Sequence, residues 1–199
     1  MIKPIDPDGF EAMFQRTIDP WDYESSAFEA QKRRVLVRAC GIGRRARGLE
    51  LACAIGETTR VLAPLCLRLL AVDSSPTALA EARRRGDAWC SVDFARACLP
   101  QEMPLGPFDL IVVSEIAYYL PPRSLDELAR RIIKATATGG RVVVVHHTRP
   151  FDDAAQLPAL AQTRIRNALR RSMELMFLER RSSFEALAFE KPRLRRSSS

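Results

Sequence analysis

The chain has 199 residues, of which 47% are hydrophobic and 28% charged, and its formal net charge is +7. This length predicts a single domain with a substantial core, and the composition is typical of soluble globular proteins. Residues 1–10 lack the basic and apolar regions of a signal peptide, and no apolar run is long enough to cross a membrane. We therefore expect a cytoplasmic protein without a membrane partner.

The cysteines and the basic residues argue against two further classes of protein. The five cysteines include no CxxC pair, so we expect neither a metal site nor a disulfide framework. The basic residues are spread over short clusters, which fits solvated helix faces and gives a nucleic-acid partner little support. These features leave open whether the protein is a monomer or a homodimer.

The first helical region contains a capping signal and two conspicuous aromatic residues. Ser26 and Glu29 have the spacing of an N-terminal capping box, which predicts a helix from about Ser26 to Ala39. Trp21 and Tyr23 lie in the polar stretch before this helix. They either anchor the N-terminal segment to the core or belong to a lid over a ligand.

Residues 48–73 have the pattern of a strand, a tight turn, a helix and a second strand that ends at Asp73. An acidic residue there, about 20 residues beyond a loop of small residues, is the arrangement that holds a ribose. The loop contains only Gly56 and follows Glu50, so it lacks the three-glycine fingerprint and would repel a pyrophosphate. A cofactor with a cationic end and no phosphate, such as S-adenosylmethionine, suits these residues. The alternative is an ordinary crossover in which Asp73 caps the next helix.

Two later strands also end at carboxylates. We expect a short strand at 89–92, followed by Asp93, and a central apolar strand at 108–115 that ends at Glu115. Asp93 either accepts a hydrogen bond from an adenine amino group or is a turn carboxylate. Ligands of open α/β sheets bind beyond the carboxyl ends of the strands. Four carboxylates are therefore expected along one rim: Glu50, Asp73, Asp93 and Glu115.

The remaining chain predicts two helices and three strands. They are helices at 124–135 and 156–169 and strands at 141–147, 175–179 and 184–189. The last two strands would form a hairpin at an antiparallel edge of the sheet. His146 and His147 close the strand at 141–147 and are either satisfied polar residues or a base on the acceptor side.

Several of these stretches together resemble class I S-adenosylmethionine-dependent methyltransferases. They are LELACAIG, AVD, VD, FDLIVVSEIAYYL and GGRVVVV. With DPWDYESSAFEAQKRRVL ahead of them, they resemble in particular the NodS-like nodulation N-methyltransferases, over roughly residues 10–147. Ala52 stands where that family usually has glycine.

The resemblance implies an α/β, Rossmann-like class I methyltransferase fold. Its sheet would be mostly parallel, with seven strands flanked by helices and a C-terminal antiparallel edge. One methyltransferase domain would span residues 1–190. It would comprise an N-terminal helical cap at 1–47, a cofactor-binding core at 48–147 and an acceptor-side region with the C-terminal hairpin at 148–190, followed by a polar tail at 191–199.

The resemblance also implies a cofactor, S-adenosyl-L-methionine, with S-adenosyl-L-homocysteine as the product. The residues implied to bind it are Trp21, Glu50, Ala52, Cys53, Gly56, Asp73, Ser74, Asp93, Ser114 and Glu115. Among them, Asp73 would bind the ribose and Asp93 the adenine amine.

The implied acceptor is an amine of an amino sugar or oligosaccharide. Because an amine must lose a proton before it is methylated, we consider Glu115, His146 and Tyr118 as candidate bases, in that order. The alternatives are O- or N-methylation of another small metabolite, a nucleic-acid methyltransferase, or a non-catalytic protein that binds NAD.

Overall fold

The computed structural model describes residues 5–193. The helices are α1 Pro7–Arg16, α2 Ala27–Cys40, α3 Glu57–Leu62, α4 Pro76–Arg85, α5 Pro122–Ala135 and α6 Pro158–Arg170. The strands are β1 Arg45–Leu51, β2 Cys66–Asp73, β3 Val92–Arg96, β4 Phe108–Ser114, β5 Thr136–His147, β6 Glu174–Arg180 and β7 Phe184–Glu190. Single 3₁₀ turns lie at Ala63–Leu65 and Ala117–Tyr119. Part of the expected polar tail lies outside the described residues.

The seven strands form one sheet in the order β3-β2-β1-β4-β5-β7-β6. The pairs among β1 to β5 are parallel, whereas β7 is antiparallel to both β5 and β6. Helices α3, α4 and α5 form the crossovers from β1 to β2, from β2 to β3 and from β4 to β5, the usual connection between parallel strands. This arrangement confirms the expected fold, a mostly parallel seven-stranded sheet with a C-terminal antiparallel edge.

The predicted hairpin is present, but its second strand lies inside the sheet. β7 is inserted between β5 and β6, so that β6 forms the edge. The reason is hydrophobic burial: Phe184, Leu187 and Phe189 of β7 are fully covered, whereas Leu178 of β6 is 45% exposed.

The core lies in two layers, one on each face of the sheet. Alternate residues of β4 point to opposite faces, with Ile111 and Val113 in one layer and Leu110 and Val112 in the other. Helices α5 and α6 cover the first layer, and α2 covers the second. A strand that is covered on both faces has an almost continuous apolar sequence, which is why the sequence predicts β4 as a central strand.

Local signals position the helical cap. Ser26 caps α2 as predicted, because its Oγ accepts a hydrogen bond from the Glu29 N–H at 3.3 Å. Glu11 of α1 accepts hydrogen bonds from the hydroxyls of Ser75 and Thr77, both at 2.5 Å. These bonds fasten α1 to the first turn of α4. Within residues 5–193, no helix has the length and apolar character needed to span a membrane.

The third strand is displaced from its predicted position. Residues 89–92 form a turn, in which the Val92 N–H donates to the Trp89 carbonyl at 3.0 Å. The strand begins only at Val92, and Asp93 pairs with Leu70 as its second residue. Asp93 therefore lies near the start of β3, and the prediction that it follows the strand was wrong.

Candidate functional site

Two adjoining cavities lie at the carboxyl ends of the central strands. The larger has a volume of about 360 Å³ and the smaller about 30 Å³. Five residues line both cavities: Tyr23, Ala52, Ala54, Ser114 and Glu115. This is the position at which open α/β sheets bind ligands, and the larger volume is in the range of small-molecule sites.

The loop after β1 brings small side chains to both cavities. Ala52 and Ala54 have φ angles of 58° and 47°, in the left-handed region that L residues rarely adopt. The Cys53 N–H donates to the Val72 carbonyl at 3.0 Å, which ties the loop to the end of β2. Cys53 lines the smaller cavity and packs beside Ala71.

Gly56 contributes to the site only through the backbone. It is the N-cap residue of α3, has a φ of 88°, and is not among the residues that line either cavity. A Cβ at this position would lie 3.4 Å from Ala82 of α4. In the structure Gly56 allows the turn into α3 and its close packing, and its contact with a cofactor stays a prediction.

Glu50 is a buried carboxyl group on the wall of the smaller cavity. The Thr59 hydroxyl donates to its Oε2 at 2.6 Å. Burial raises the pKa of Glu50 to about 8, because the hydrogen bond from Thr59 offsets only part of the loss of hydration. Glu50 therefore carries a proton at neutral pH.

Asp73 ends β2 on the wall of the larger cavity, and Ser74 follows it there. Its Oδ2 accepts a hydrogen bond from the Ala54 N–H at 2.8 Å, and its Oδ1 accepts one from the Ser75 N–H at 3.0 Å. Burial raises the pKa of Asp73, although these backbone donors act against it. The cap of α4 is Ser75, whose Oγ accepts from the Ala78 N–H. The Asp73 carboxyl group instead holds the loop after β1, which forms part of the cavity wall, through the Ala54 N–H.

Glu115 forms the floor shared by the two cavities and has a φ of 56°. Its Oε1 lies 2.9 Å from the Lys32 ammonium and accepts the His147 N–H at 3.0 Å, while its Oε2 accepts the Tyr118 hydroxyl. Burial would raise the pKa of Glu115, but the Lys32 charge leads the contributions that lower it, and the net result is a lowered pKa. Glu115 is therefore ionised.

His146 and Tyr118 lie beneath Glu115, and neither lines a cavity. The fully buried His146 ring contacts Gln162 Oε1 through Nδ1 at 2.7 Å, and its Nε2 accepts the Ala117 N–H at 3.1 Å. Burial lowers the pKa of His146, so the ring is neutral with both nitrogens occupied. Burial raises the pKa of Tyr118 well above its usual value. Of these two candidate bases, Tyr118 supports Glu115 through its hydroxyl, whereas His146 is held by Gln162 and the Ala117 N–H.

Aromatic side chains of the cap close the larger cavity. Trp21 lines it as predicted and packs against Phe14 and Tyr23, with ring centroids 5.6 and 5.5 Å apart. Phe10 contacts Tyr119 edge to face at 4.9 Å, and both rings line the cavity. Trp21 therefore anchors the N-terminal segment and also forms part of the wall of the larger cavity.

Tyr119 and Lys32 were not singled out from the sequence. The 3₁₀ turn at Ala117–Tyr119 turns Tyr119, and not Tyr118, toward the larger cavity. Tyr119 follows shortly after Glu115 in the sequence, which marks it as a candidate site residue. The sequence of two adjacent tyrosines does not show which ring faces a ligand. Lys32 gave no signal, because a lysine in an amphipathic helix usually faces solvent.

The end of β3 supplies a wall without a carboxylate. Asp93 is exposed and is not a lining residue. The neighbouring wall is formed by Ala97, Cys98, Leu99 and Gln101. This wall was not predicted from the sequence, because the end of the strand was placed too early.

The ionisable side chains on the cavity walls are acidic, and Glu115 among them is ionised while Glu50 is protonated at neutral pH. Within residues 5–193, no lysine, arginine or histidine lines either cavity, although the whole chain has a net charge of +7. The lining carboxyl groups are Asp6, Glu29, Glu50, Glu57, Asp73 and Glu115. Such walls favour a cationic ligand and disfavour a phosphate. In the part of the chain that the structure describes, no cluster of three or more potential ligands suits a metal ion.

Comparison with known proteins gives consistent matches. The family model of Nodulation protein S (NodS) matches residues 7–144. Nodulation protein S of Bradyrhizobium diazoefficiens is 40% identical over 103 residues, which cover 51% of this chain and 49% of the relative. The Sinorhizobium fredii protein of that name is 32% identical over 127 residues, or 63% of this chain and 59% of the relative. The chain thus spans about half the length of the curated relatives it matches.

Solved structures extend the similarity beyond the segment matched by sequence. The N-methyltransferase NodS from Bradyrhizobium japonicum, in complex with S-adenosyl-L-homocysteine, matches with a TM-score of 0.79 and 25% identity. The match covers 92% of this chain and 98% of that one. A putative methyltransferase from Pseudomonas syringae has a TM-score of 0.71 and 28% identity, over 83% of this chain and 100% of that one. Because the family model covers well over half of its residues, the chain belongs to the Nodulation protein S (NodS) family.

Proposed function

We propose that this protein is an S-adenosylmethionine-dependent methyltransferase that N-methylates a small amine, and that the amine belongs to an amino sugar or oligosaccharide. The observation that carries the proposal is the charge of the cavity walls, where carboxyl groups occur and basic residues of the described chain do not. A donor with a sulfonium and an ammonium group, and an acceptor with an amine, both suit such walls.

The cavity residues fit this donor part by part. Glu50, Glu57 and Glu115 line the smaller cavity, where the protonated Glu50 can hydrogen-bond and the ionised Glu115 suits the cationic methionine end. Asp73 and Ser74 would face the ribose and adenine in the larger cavity. The bound S-adenosyl-L-homocysteine of the Bradyrhizobium japonicum NodS supports this assignment, since that protein has the same fold. When bound, S-adenosylmethionine supplies an activated methyl group on its sulfonium.

The chain's own residues would orient the acceptor and exclude water. The rings of Phe10, Trp21 and Tyr119 cover the larger cavity and limit solvent access. Glu115 has a lowered pKa, so it has little affinity for a proton and is suited to stabilise a nearby cation. We therefore assign Glu115 an electrostatic role, and the acceptor amine loses its proton to solvent before transfer.

Calorimetry with S-adenosylhomocysteine and NAD tests the cofactor assignment. We expect S-adenosylhomocysteine to bind and NAD to give no heat, because the pyrophosphate of NAD would face carboxylates. Binding of NAD without S-adenosylhomocysteine would refute the methyltransferase and support a non-catalytic NAD-binding protein.

A homocysteine-release assay tests the acceptor. The probe is a chitin oligosaccharide with a free amine at its deacetylated end, and the fully N-acetylated oligosaccharide is the matched control. We expect turnover with the free amine alone. Equal turnover of both sugars would indicate O-methylation, and turnover only with other small amines would replace the sugar by another metabolite.

A further inference from the structure

Lys32 is a buried lysine that lines neither cavity. It lies in α2, is 5% exposed, and its Nζ is 2.9 Å from Glu115 Oε1 and 2.8 Å from Glu29 Oε1. The ammonium also lies 5.1 Å from the centroid of the Phe28 ring. Burying an ammonium group costs free energy unless it is well paired. The burial of Lys32 is therefore explained by its ion pairs with the carboxylates of Glu29 and Glu115.

The conformation of Glu115 shows what this pairing maintains. A non-glycine residue with a φ of 56° is strained, and such strain persists only where the surroundings hold it. The Glu115 N–H donates to the Val145 carbonyl at 3.1 Å, while Lys32, Tyr118 and the His147 N–H occupy its carboxylate. The side chain is thus fixed at the floor of both cavities.

We propose that Lys32 is a positioning residue that keeps Glu115 ionised and fixed, so that Glu115 attracts the ammonium form of the acceptor without removing its proton. This inference rests on the proposed function and assigns that site a residue that touches neither cofactor nor acceptor. It also explains why the Lys32 ammonium is buried next to Glu115, the carboxylate at the floor of the cavities.

Among residues 5–193, Lys32 is the cationic group in direct contact with Glu115. The titratable groups that face Glu115 are Lys32 and Glu29 from α2, Tyr118 and Tyr119 from the 3₁₀ turn, His146 and His147 from β5, and Tyr23 from the cap. Burial raises the pKa values of the tyrosines and lowers those of the histidines, so these groups are neutral at pH 7. Lys32 makes the largest contribution that lowers the pKa of Glu115, and without it burial would be opposed by smaller contributions, such as the hydrogen bond from Tyr118.

Isotope-edited infrared spectroscopy measures the effect of Lys32 directly. The protein carries ¹³C-labelled glutamate, and the Glu115→Gln variant identifies the Glu115 band by difference. We expect Glu115 to be ionised at pH 7 in the unmodified protein and protonated in Lys32→Met. A protonated Glu115 in the unmodified protein, or an ionised one in Lys32→Met, would overturn the inference.

Kinetics then test whether the effect reaches the acceptor. With the free-amine acceptor, Lys32→Met should lower kcat/KM at pH 7 by roughly tenfold to a hundredfold, the range found for side chains that orient the ligands of metal sites. The ratio of variant to unmodified activity should rise with pH as Glu115 ionises, while the ratio for Glu115→Gln stays flat. The double variant should match Glu115→Gln, because Lys32 acts through Glu115. Additive losses would contradict this.

Two controls separate this inference from a general loss of structure. Thermal unfolding and S-adenosylhomocysteine binding report whether Lys32→Met is folded, and Lys32→Arg should restore activity by restoring the charge. If Lys32→Met does not fold, Lys32→Gln takes its place in both assays. If the unmodified protein methylates no amine, the proposed function fails, and the infrared titration still decides whether Lys32 keeps Glu115 ionised.

Discussion

Glu50 and Glu115 are both buried glutamates of the same site, yet their pKa values move in opposite directions. Glu50 has a hydroxyl partner, and burial raises its pKa to about 8. Burial also acts to raise the pKa of Glu115. Glu115 contacts the ammonium of Lys32, however, and its pKa is lowered. At the scale of single residues, the partner therefore decides the charge of a buried carboxyl group.

Glu50 should make stability depend on pH. The folded state holds a proton on Glu50 up to about pH 8, whereas an unfolded glutamate releases it near 4.5. The unfolded state then binds fewer protons, so the free energy of unfolding should fall between those values, by at most about 1.4 kcal/mol per pH unit. Urea unfolding measures this slope. Glu50→Gln should flatten it, and an unchanged slope would show that Glu50 is already ionised in the fold.

Asp73→Ala should weaken S-adenosylhomocysteine binding. The substitution removes the proposed ribose contact and leaves the Ala54 and Ser75 N–H groups without their acceptor. Lost hydrogen bonds to a charged group are worth about 1.5–3 kcal/mol, or roughly tenfold to a hundredfold in affinity. Calorimetry measures the change. Asp93→Ala, an exposed carboxylate of the neighbouring strand, is the control and should bind normally. Equal effects at both positions would refute the ribose assignment.

At the scale of elements, α1 is held by a polar contact in addition to its aromatic packing. Glu11 joins α1 to the start of α4 through Ser75 and Thr77. Slight burial would raise the pKa of Glu11, but the hydrogen bonds from these residues lower it to about 2. The carboxylate is therefore ionised at all but strongly acidic pH, and α1 is held over the cavity that its Phe10 and Phe14 line.

Glu11→Ala should loosen α1. Loss of a side chain that holds a helix N-terminus typically costs about 0.5–2 kcal/mol. Amide hydrogen exchange within Pro7–Arg16 should accelerate, while exchange in β4 should not change. Asp8→Asn, on an exposed position of the same helix, is the matched control. Unchanged exchange in Glu11→Ala would show that aromatic packing alone holds the helix.

At the scale of the whole molecule, the sheet order determines which residues matter for stability. β7 lies between two strands, and Phe189 is fully buried, whereas Leu178 on the edge strand is 45% exposed. Phe189→Ala should lower the free energy of unfolding by about 3–5 kcal/mol. Leu178→Ala should cost less than about 1 kcal/mol, as expected for a half-exposed side chain. Denaturant unfolding compares them, and equal losses would contradict the inserted position of β7.

Features that depend on a few neighbouring residues could be predicted from the amino-acid sequence. The Ser26 cap, the apolar run of β4, and the positions of Asp73 and Glu115 at strand ends were all readable locally. Strand ends could be assembled into a rim because parallel strands place their carboxyl ends on one side of the sheet. The family resemblance extended this to a mostly parallel sheet of seven strands with a C-terminal antiparallel edge.

The side chains that face the cavities, and the charges that they carry, could not be predicted without the three-dimensional fold. Tyr119 and not Tyr118 lines the larger cavity, His146 is enclosed, and Asp93 lies away from the rim. The contact between Lys32 and Glu115 joins α2 to the end of β4, segments far apart along the chain. Burial and charge pairing arise from such distant contacts, whereas sequence patterns record the hydrophobic period and the local turn.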